Sequence, residues 1–378
     1  MTSRAPGVPL LLMRGGTSKG AFVLANDLPD DPAERDDLLL RLMGSPDPRQ
    51  IDGLGGGHPL TTKVAVVRPC PDDRADVAYL FLQPSVDEPL VADRQNCGNM
   101  LAAVGPFAVE RSLVSVADDA TEASVRILME NTDSIAVATF PVADGLPVYD
   151  GDLAISGVPG TAAPIRLDFE DVAGSSCGAL FPTGNLVDTV AGVAVTLVDH
   201  GMPVALIRSD ALGIDGDEAP ADLEANATLR STLEAIRIAA GPLMGLGDVA
   251  DTTVPKLTIV SAPSGSGSLA TRTFIPHRCH DAIGVLGALS VAVAAEAPGT
   301  VAHDLVARTA IDAAGGTLTL EHPTGTFAAA ITVTTATDGQ IEIDRAGIVR
   351  TARALMDGVA RPRPIARPRP IARPRQAP

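Results

Sequence analysis

Two stretches of this 378-residue chain have no polar face. Asn99-Met-Leu-Ala-Ala-Val-Gly-Pro-Phe-Ala-Val109 and Ala282-Ile-Gly-Val-Leu-Gly-Ala-Leu-Ser-Val-Ala-Val-Ala-Ala295 are apolar all the way round a helical projection. A helix of that kind cannot lie on a surface and has to be enclosed by other elements. The rest of the chain is dominated by short apolar runs bounded by Gly and Pro, the pattern of strands. In the first half these are Pro9–Met13, Lys63–Arg68, Val77–Leu82, Val125–Met129 and Ile135–Phe140. In the second they are Ile165–Phe169, Val193–Val198, Val204–Ile207, Lys256–Val260, Thr317–Glu321 and Phe327–Val333. Each enclosed helix closely follows a cysteine, Cys97 in one half and Cys279 in the other. The repeat predicts an α+β fold of two similar domains, each a curved, mostly antiparallel sheet wrapped round one central helix. The expected limits are 1–160 with about 338–359 for the first domain and 161–337 for the second.

Helical periodicity predicts helices over Gly98–Leu113 and Asp281–Ala297, and further ones over Pro32–Met43, Leu223–Ala240 and Thr300–Ala313. From about Asp338 a turn leads into a returning strand. After Val359 the sequence repeats Ala-Arg-Pro-Arg-Pro-Ile, and the alternating prolines predict an exposed, disordered Arg/Pro tail over 360–378. The tail is either a contact for an acidic partner or a frayed end.

Charge narrows the functions open to such a fold. The chain carries a formal charge of -17, and its tail holds six arginines and no acid, so the body is more acidic still. Nucleic acid is excluded as a partner on that ground. No apolar run approaches the ~18 residues of a membrane span, and the N-terminal apolar run is too short for a signal peptide. A cytoplasmic location is expected. The four cysteines are far apart and are expected to be reduced. An anionic ligand on an acidic body needs a local basic pocket, which directs attention to basic residues beside glycines.

Four segments meet that description. Met13-Arg-Gly-Gly-Thr-Ser-Lys-Gly20 is a basic, hydroxyl-bearing turn that could hold a carboxylate through its amides and Arg14 or Lys19, or simply reverse the chain. Asp52-Gly-Leu-Gly-Gly-Gly-His-Pro-Leu-Thr-Thr-Lys63 ends where the chain enters an apolar strand; partial burial of Lys63 would lower its pKa and supply a base, unless the lysine is solvated. Gln95-Asn-Cys-Gly-Asn99 lies at the start of the first enclosed helix, where amides and dipole favour both a thiolate at Cys97 and a bound carboxylate. A buried structural cysteine is the alternative. His277-Arg-Cys-His-Asp281 precedes the second enclosed helix; its spacing suits a metal site poorly and a carboxylate clamp by Arg278 better.

These motifs, together with Gln50-Ile-Asp-Gly53, Met129-Glu-Asn-Thr132, Phe181-Pro-Thr-Gly-Asn185, Asp199-His-Gly-Met-Pro203 and Glu321-His-Pro-Thr-Gly325, resemble the methylaconitate isomerase and 4-oxalomesaconate tautomerase family over roughly residues 8–358. The resemblance implies the diaminopimelate epimerase-like fold, with an active site between two domains. It implies an isomerase moving a proton on an unsaturated polycarboxylate, with no cofactor and no metal. Lys63 would be the proton-transfer group and Cys97 its helper. Ser18, Lys19, Gly98, Asn99, Arg278 and Cys279 would contact the substrate. The glycines expected after a second catalytic cysteine are missing after Cys279, which argues against a two-thiol epimerase. A homodimer is compatible with the family, and a different tricarboxylate or a silent binding protein are the competing expectations.

Overall fold

The computed structural model describes residues 7–93, 96–170, 172–250, 252–308, 317–336 and 341–365. Gln95 of the cysteine motif, residues 309–313 of the helix expected after Thr300, the turn at 338–340 and the tail from 366 onward lie outside the described residues.

In the first half, β1 (Val8–Gly15) and β2 (Ser18–Leu24) form a hairpin whose two-residue turn begins at Gly16. α1 (Pro32–Met43), capped by the Asp31 side chain, leads to β3 (Lys63–Pro69), which lies parallel to β2. β4 (Val77–Pro84) runs back along β3, with β5 (Val91–Ala92) on its end. Then come α2 (Gly98–Leu101), α3 (Val104–Glu110), β6 (Glu122–Met129) parallel to β4, β7 (Ser134–Ala143), β8 (Leu146–Pro147) and β9 (Pro164–Glu170). The second half contains β10 (Asp188–Val190), β11 (Val193–Asp199), β12 (Pro203–Arg208), α4 (Pro220–Ala225), α5 (Ala227–Leu243), β13 (Lys256–Ser261) and β14 (Leu269–Ile275). It continues through β15 (Arg278–Cys279), α6 (Val285–Glu296), β16 (Thr317–His322), β17 (Gly325–Thr335) and β18 (Ile341–Ala360).

The pairing pattern occurs twice. β1–β2 is antiparallel, β2–β3 parallel, β3–β4 antiparallel, β4–β6 parallel, then β6–β7 and β7–β9 antiparallel. β11 to β18 repeat that order, with parallel pairs β12–β13 and β14–β16. In both halves the apolar helix occupies the crossover between the fourth strand and its parallel neighbour. β18 then pairs with β9 and with β1, closing β1, β2, β3, β4, β6, β7, β9 and β18 into a barrel around α2 and α3. One hydrophobic cluster contains Met100 to Val109 and Ala288 to Ala295, so sheet and core run through both halves. α1 and α5 cover the outer faces, through Leu39, Leu42 and Met43 on one side and Leu229, Leu233 and Ile236 on the other.

The α+β class holds, and several boundaries move for identifiable reasons. The helix expected over Gly98–Leu113 is broken at Ala102 and Ala103, so that Pro106 falls in the first turn of α3, where its missing N–H costs nothing. The one expected over Leu223–Ala240 is interrupted at Asn226, whose side chain accepts from Leu229 N to cap α5. After Thr300 the described chain has a 3-10 turn at His303–Leu305. The strands β2 and β14 were hidden by the Gly-rich turn before one and by the polar residues within the other. At the start of the Arg/Pro segment, Arg363 donates to Ser45 O and accepts from Arg41, pinning it to the end of α1. Among the described residues no helix is long and apolar enough to cross a membrane.

His200, 3% exposed, has no hydrogen-bond partner on either ring nitrogen among the described residues, and burial pushes its pKa down to about 4. The unfolded chain then binds the proton more readily than the folded one between pH ~6.5 and ~4, so stability falls as pH falls through that window. Between pH 7 and pH 5 the wild type should lose about 2 kcal/mol more than His200→Leu, measured by urea unfolding. Parallel pH profiles would show that His200 takes no part.

Candidate active site

The N-termini of the two enclosed helices meet. A Cβ on Gly98 would come within 2.9 Å of the Val285 side chain, so the first residues of α2 and α6 are in contact. The outer helices α1 and α5 carry side-chain caps from Asp31 and Asn226, whereas Cys97 before α2 and Gly284 before α6 supply none. First-turn N–H groups without a cap are open to an external acceptor, and the helix dipole favours that acceptor being an anion.

The hairpin turn of β1 and β2 lies directly on this end of α2. Gly16 has φ 52° and sits where a Cβ would be 2.1 Å from Asn99 Oδ1, so two constraints require glycine there. Asn99 Nδ2 donates to Thr17 Oγ1, while Asn99 Oδ1 and the Ser18 hydroxyl are buried without partners among the described residues. Strand alternation separates the motif's polar groups. Ser18 and Phe22 face the helix, whereas Lys19 shares the opposite face with Ala21 and Val23.

The same alternation on β3 turns Lys63 inward with Ala65 and Val67. Lys63 is 7% exposed; its Nζ donates to Gln83 Oε1 at 2.6 Å and stands 5.0 Å from the Phe81 ring centroid. Gln83 in turn donates to Thr62 O, which fixes the acceptor end of its amide toward the lysine. Among the described residues no carboxylate pairs with Lys63. Cys97 is partly buried against the same core, near enough to the buried Tyr79 hydroxyl to raise its pKa further, after burial itself. The Met129–Thr132 motif holds this loop: Asn131 bonds both backbone groups of Phe81 and donates to Asp93 O, and Asn96 donates to Thr132.

A cavity of about 430 Å³ opens at the helix contact, within the range of small-molecule sites. Thr17, Leu60 and Asn99 form one wall, with Ala282, Ile283 and Val285 opposite. His322, Thr324 and Thr326 from the β16–β17 hairpin, Phe327, Arg350 on β18 and the segment 153–157 also line it. Thr324 Oγ1 donates to Asp281 O, tying the hairpin to the segment before α6. Burial, with His280 and Arg350 nearby, lowers the His322 pKa.

The model of the PrpF protein family matches residues 6–362. The chain belongs to the PrpF family. It is 52% identical over 351 residues to the (4E)-oxalomesaconate Delta-isomerase of Novosphingobium sp., covering 93% of this chain and 96% of that one. It is 53% identical over 352 residues to the 4-oxalomesaconate tautomerase of Pseudomonas putida, covering 93% and 95%. The crystal structure of a methylitaconate-delta-isomerase superposes with TM-score 0.83 at 34% identity, covering 94% of this chain and 95% of that one.

Within this PrpF chain, the structure brings Gly98 and Asn99 to the helix contact and places Ser18, Lys63 and Cys97 toward the same core; of the expected site residues, Asn99 alone lines the cavity among the described residues. It separates three other expected contacts from them. Lys19 faces away for the reason given. β15 pairs with Phe274 and Ile275, which turns Cys279 into the outer core beneath α4 and α5, where burial pushes its thiol up to about 11. Cys279 N donates to Glu224, and Arg278 is exposed beside Pro220, Ala221 and Glu224. α6 starts only at Val285, so neither residue stands at its N-terminus. Among the described residues no group of three or more His, Cys, Asp and Glu is arranged to hold a metal ion.

Gln83 and Arg350 were not singled out in the sequence. Gln83 lies in an ordinary apolar strand. Arg350 interrupts the alternation Ala346, Ile348, Ala352 at a core-facing position, and that misfit was the available signal. The Gly98–Val285 contact gives a direct test: Gly98→Ala should destabilise the fold by about 1–3 kcal/mol in urea unfolding, because stiff Val285 must move. An unchanged midpoint would mean that the helix ends separate freely.

Proposed function

We propose that this PrpF-family chain is an isomerase that moves a proton on 4-oxalomesaconate, interconverting its enol and keto forms. The observation that carries this reading is 52% and 53% identity, over 93% of the chain, to proteins named for that substrate. A cavity with uncapped helix amides and a buried arginine suits a polycarboxylate.

Starting from the keto form, Lys63 Nζ removes a proton from the carbon beside the carbonyl. The C–H electron pair becomes a C=C bond, and the carbonyl oxygen takes the negative charge. The helix-end amides stabilise that dienolate. A proton returned to oxygen, from the Cys97 thiol or water, gives the enol; one returned to a distant carbon gives the shifted double bond. The names of the two relatives, a tautomerase and a Delta-isomerase, correspond to these outcomes of one intermediate. The transfer is redox-neutral, so a cytoplasmic enzyme of gallate breakdown that needs no cofactor completes the reading. So does a division into two epimerase-like domains meeting at the cavity, with the boundary after β9, which pairs inside the first barrel, rather than at residue 160.

Purified protein should convert the enol of 4-oxalomesaconate, followed by ultraviolet absorbance, and proton NMR in D₂O should show which carbon gains deuterium. Turnover of 2-methylaconitate without turnover of oxalomesaconate would overturn the substrate. Lys63→Ala should keep the fold and lose about 10²–10⁴ in kcat. Undiminished activity would remove Lys63 from the mechanism.

A further inference from the structure

Arg350 is 9% exposed and lines the cavity, yet its guanidinium has little to hold it. Nη1 donates to Val349 O at 2.9 Å, and the group stacks over the Phe327 ring at 4.1 Å. No acidic side chain pairs with it among the described residues. Burial pulls its pKa down to about 10, with no opposing contribution from a carboxylate. Two other arginines are buried among the described residues, and both are better held: Glu234 pairs with Arg237, which also donates to the carbonyls of Val249, Ala250 and Thr252, and Arg272 donates from Nε to Glu218 O and from Nη1 to Thr271 O.

A guanidinium has five N–H donors in a rigid fork, and leaving most of them dry and uncompensated costs stability. Replacing such an unpaired buried cation with a hydrophobic residue is expected to be neutral or stabilising in the empty protein, so an arginine at this position points to a partner outside the fold. Its place on β18 adds to the argument, since Ala346, Ile348 and Ala352 on the same strand face belong to the hydrophobic cluster. Phe327 covers the face of the guanidinium, so its N–H edge is the part left for recognition. A carboxylate accepts two parallel N–H bonds from that edge.

We propose that Arg350, held by Phe327, is the carboxylate-recognition residue of the cavity and selects for a polycarboxylate. One carboxylate of the ligand takes the N–H edge of Arg350, and the rest of the ligand lies toward Asn99 and Val285 at the helix contact. Arg350 is thus a binding and specificity residue. His322, kept neutral by burial and by the neighbouring cation, adds no competing charge. This proposal deepens the polycarboxylate reading above and rests on it for the identity of the substrate.

The test uses the full chain and propane-1,2,3-tricarboxylate, an unreactive probe. Wild type, Arg350→Met and Arg350→Lys are compared by thermal melting with and without the probe and by calorimetric titration. Arg350→Met should melt no lower than wild type without ligand and lose the probe-induced rise, with affinity falling about 10- to 100-fold. Arg350→Lys keeps the charge but loses the fork and should remain impaired, with KM for the turned-over acid rising more than kcat falls. Unchanged probe affinity in Arg350→Met overturns the proposal. So does a lower melting point without ligand, which would make Arg350 a structural brace, and so does a wild type that does not bind the probe. If wild type binds the probe through Arg350 but leaves 4-oxalomesaconate unchanged, the substrate reading fails and the Arg350 assignment stands.

Discussion

Everything at the cavity depends on two helix ends touching without caps. α3 and α6 are apolar and buried along most of their length, so each needs a sheet around it, while Gly98 and Asn99 of α2 and Val285 and Leu286 of α6 are only partly buried. Gly98 against Val285 brings those ends together. The amides that Asp31 and Asn226 satisfy on α1 and α5 have no side-chain cap at these two touching ends. An acidic chain thereby gains a local site with the opposite sign, made from backbone rather than from a surplus of lysines.

The two halves have the same strand order and have diverged in what they contribute. Lys256 begins β13 as Lys63 begins β3, each beside a parallel neighbour. It is half-buried, and desolvation lowers its pKa. Cys279, however, has been turned into the outer core by β15, whereas Cys97 remains at a helix end. Lys63 and Cys97 therefore both lie in the first half. The other half supplies His322, Thr324, Phe327 and, on the shared strand, Arg350. A symmetric scaffold has become an asymmetric site through the direction of a few side chains.

That direction explains what could be read in the sequence. The enclosed helices, eleven of the strands and the place of Cys97 follow from apolar periodicity, because burial acts on many residues at once. Lys19, Arg278 and Cys279, which the family resemblance implies as substrate contacts, are pointed away from the cavity by a one-residue alternation on β2 and by the two-residue strand β15. Arg350 was hidden for the opposite reason: it is far from every motif in sequence and reaches the cavity only because β18 crosses both halves. Pairings over such distances leave no local trace.

β18 has one more consequence, for the order in which the protein forms. The first barrel is sealed by residues from opposite ends of the chain, with Val8 facing Ala360 and Gly15 facing Ala352. A ribosome releases the first seven strands of that barrel long before the eighth. Until then β1 and β9 are open edges, and the apolar helix inside is only partly covered. The halves look like two domains that could mature in turn, but the N-terminal one has no finished state of its own. The first barrel is therefore closed only when β18 is in place.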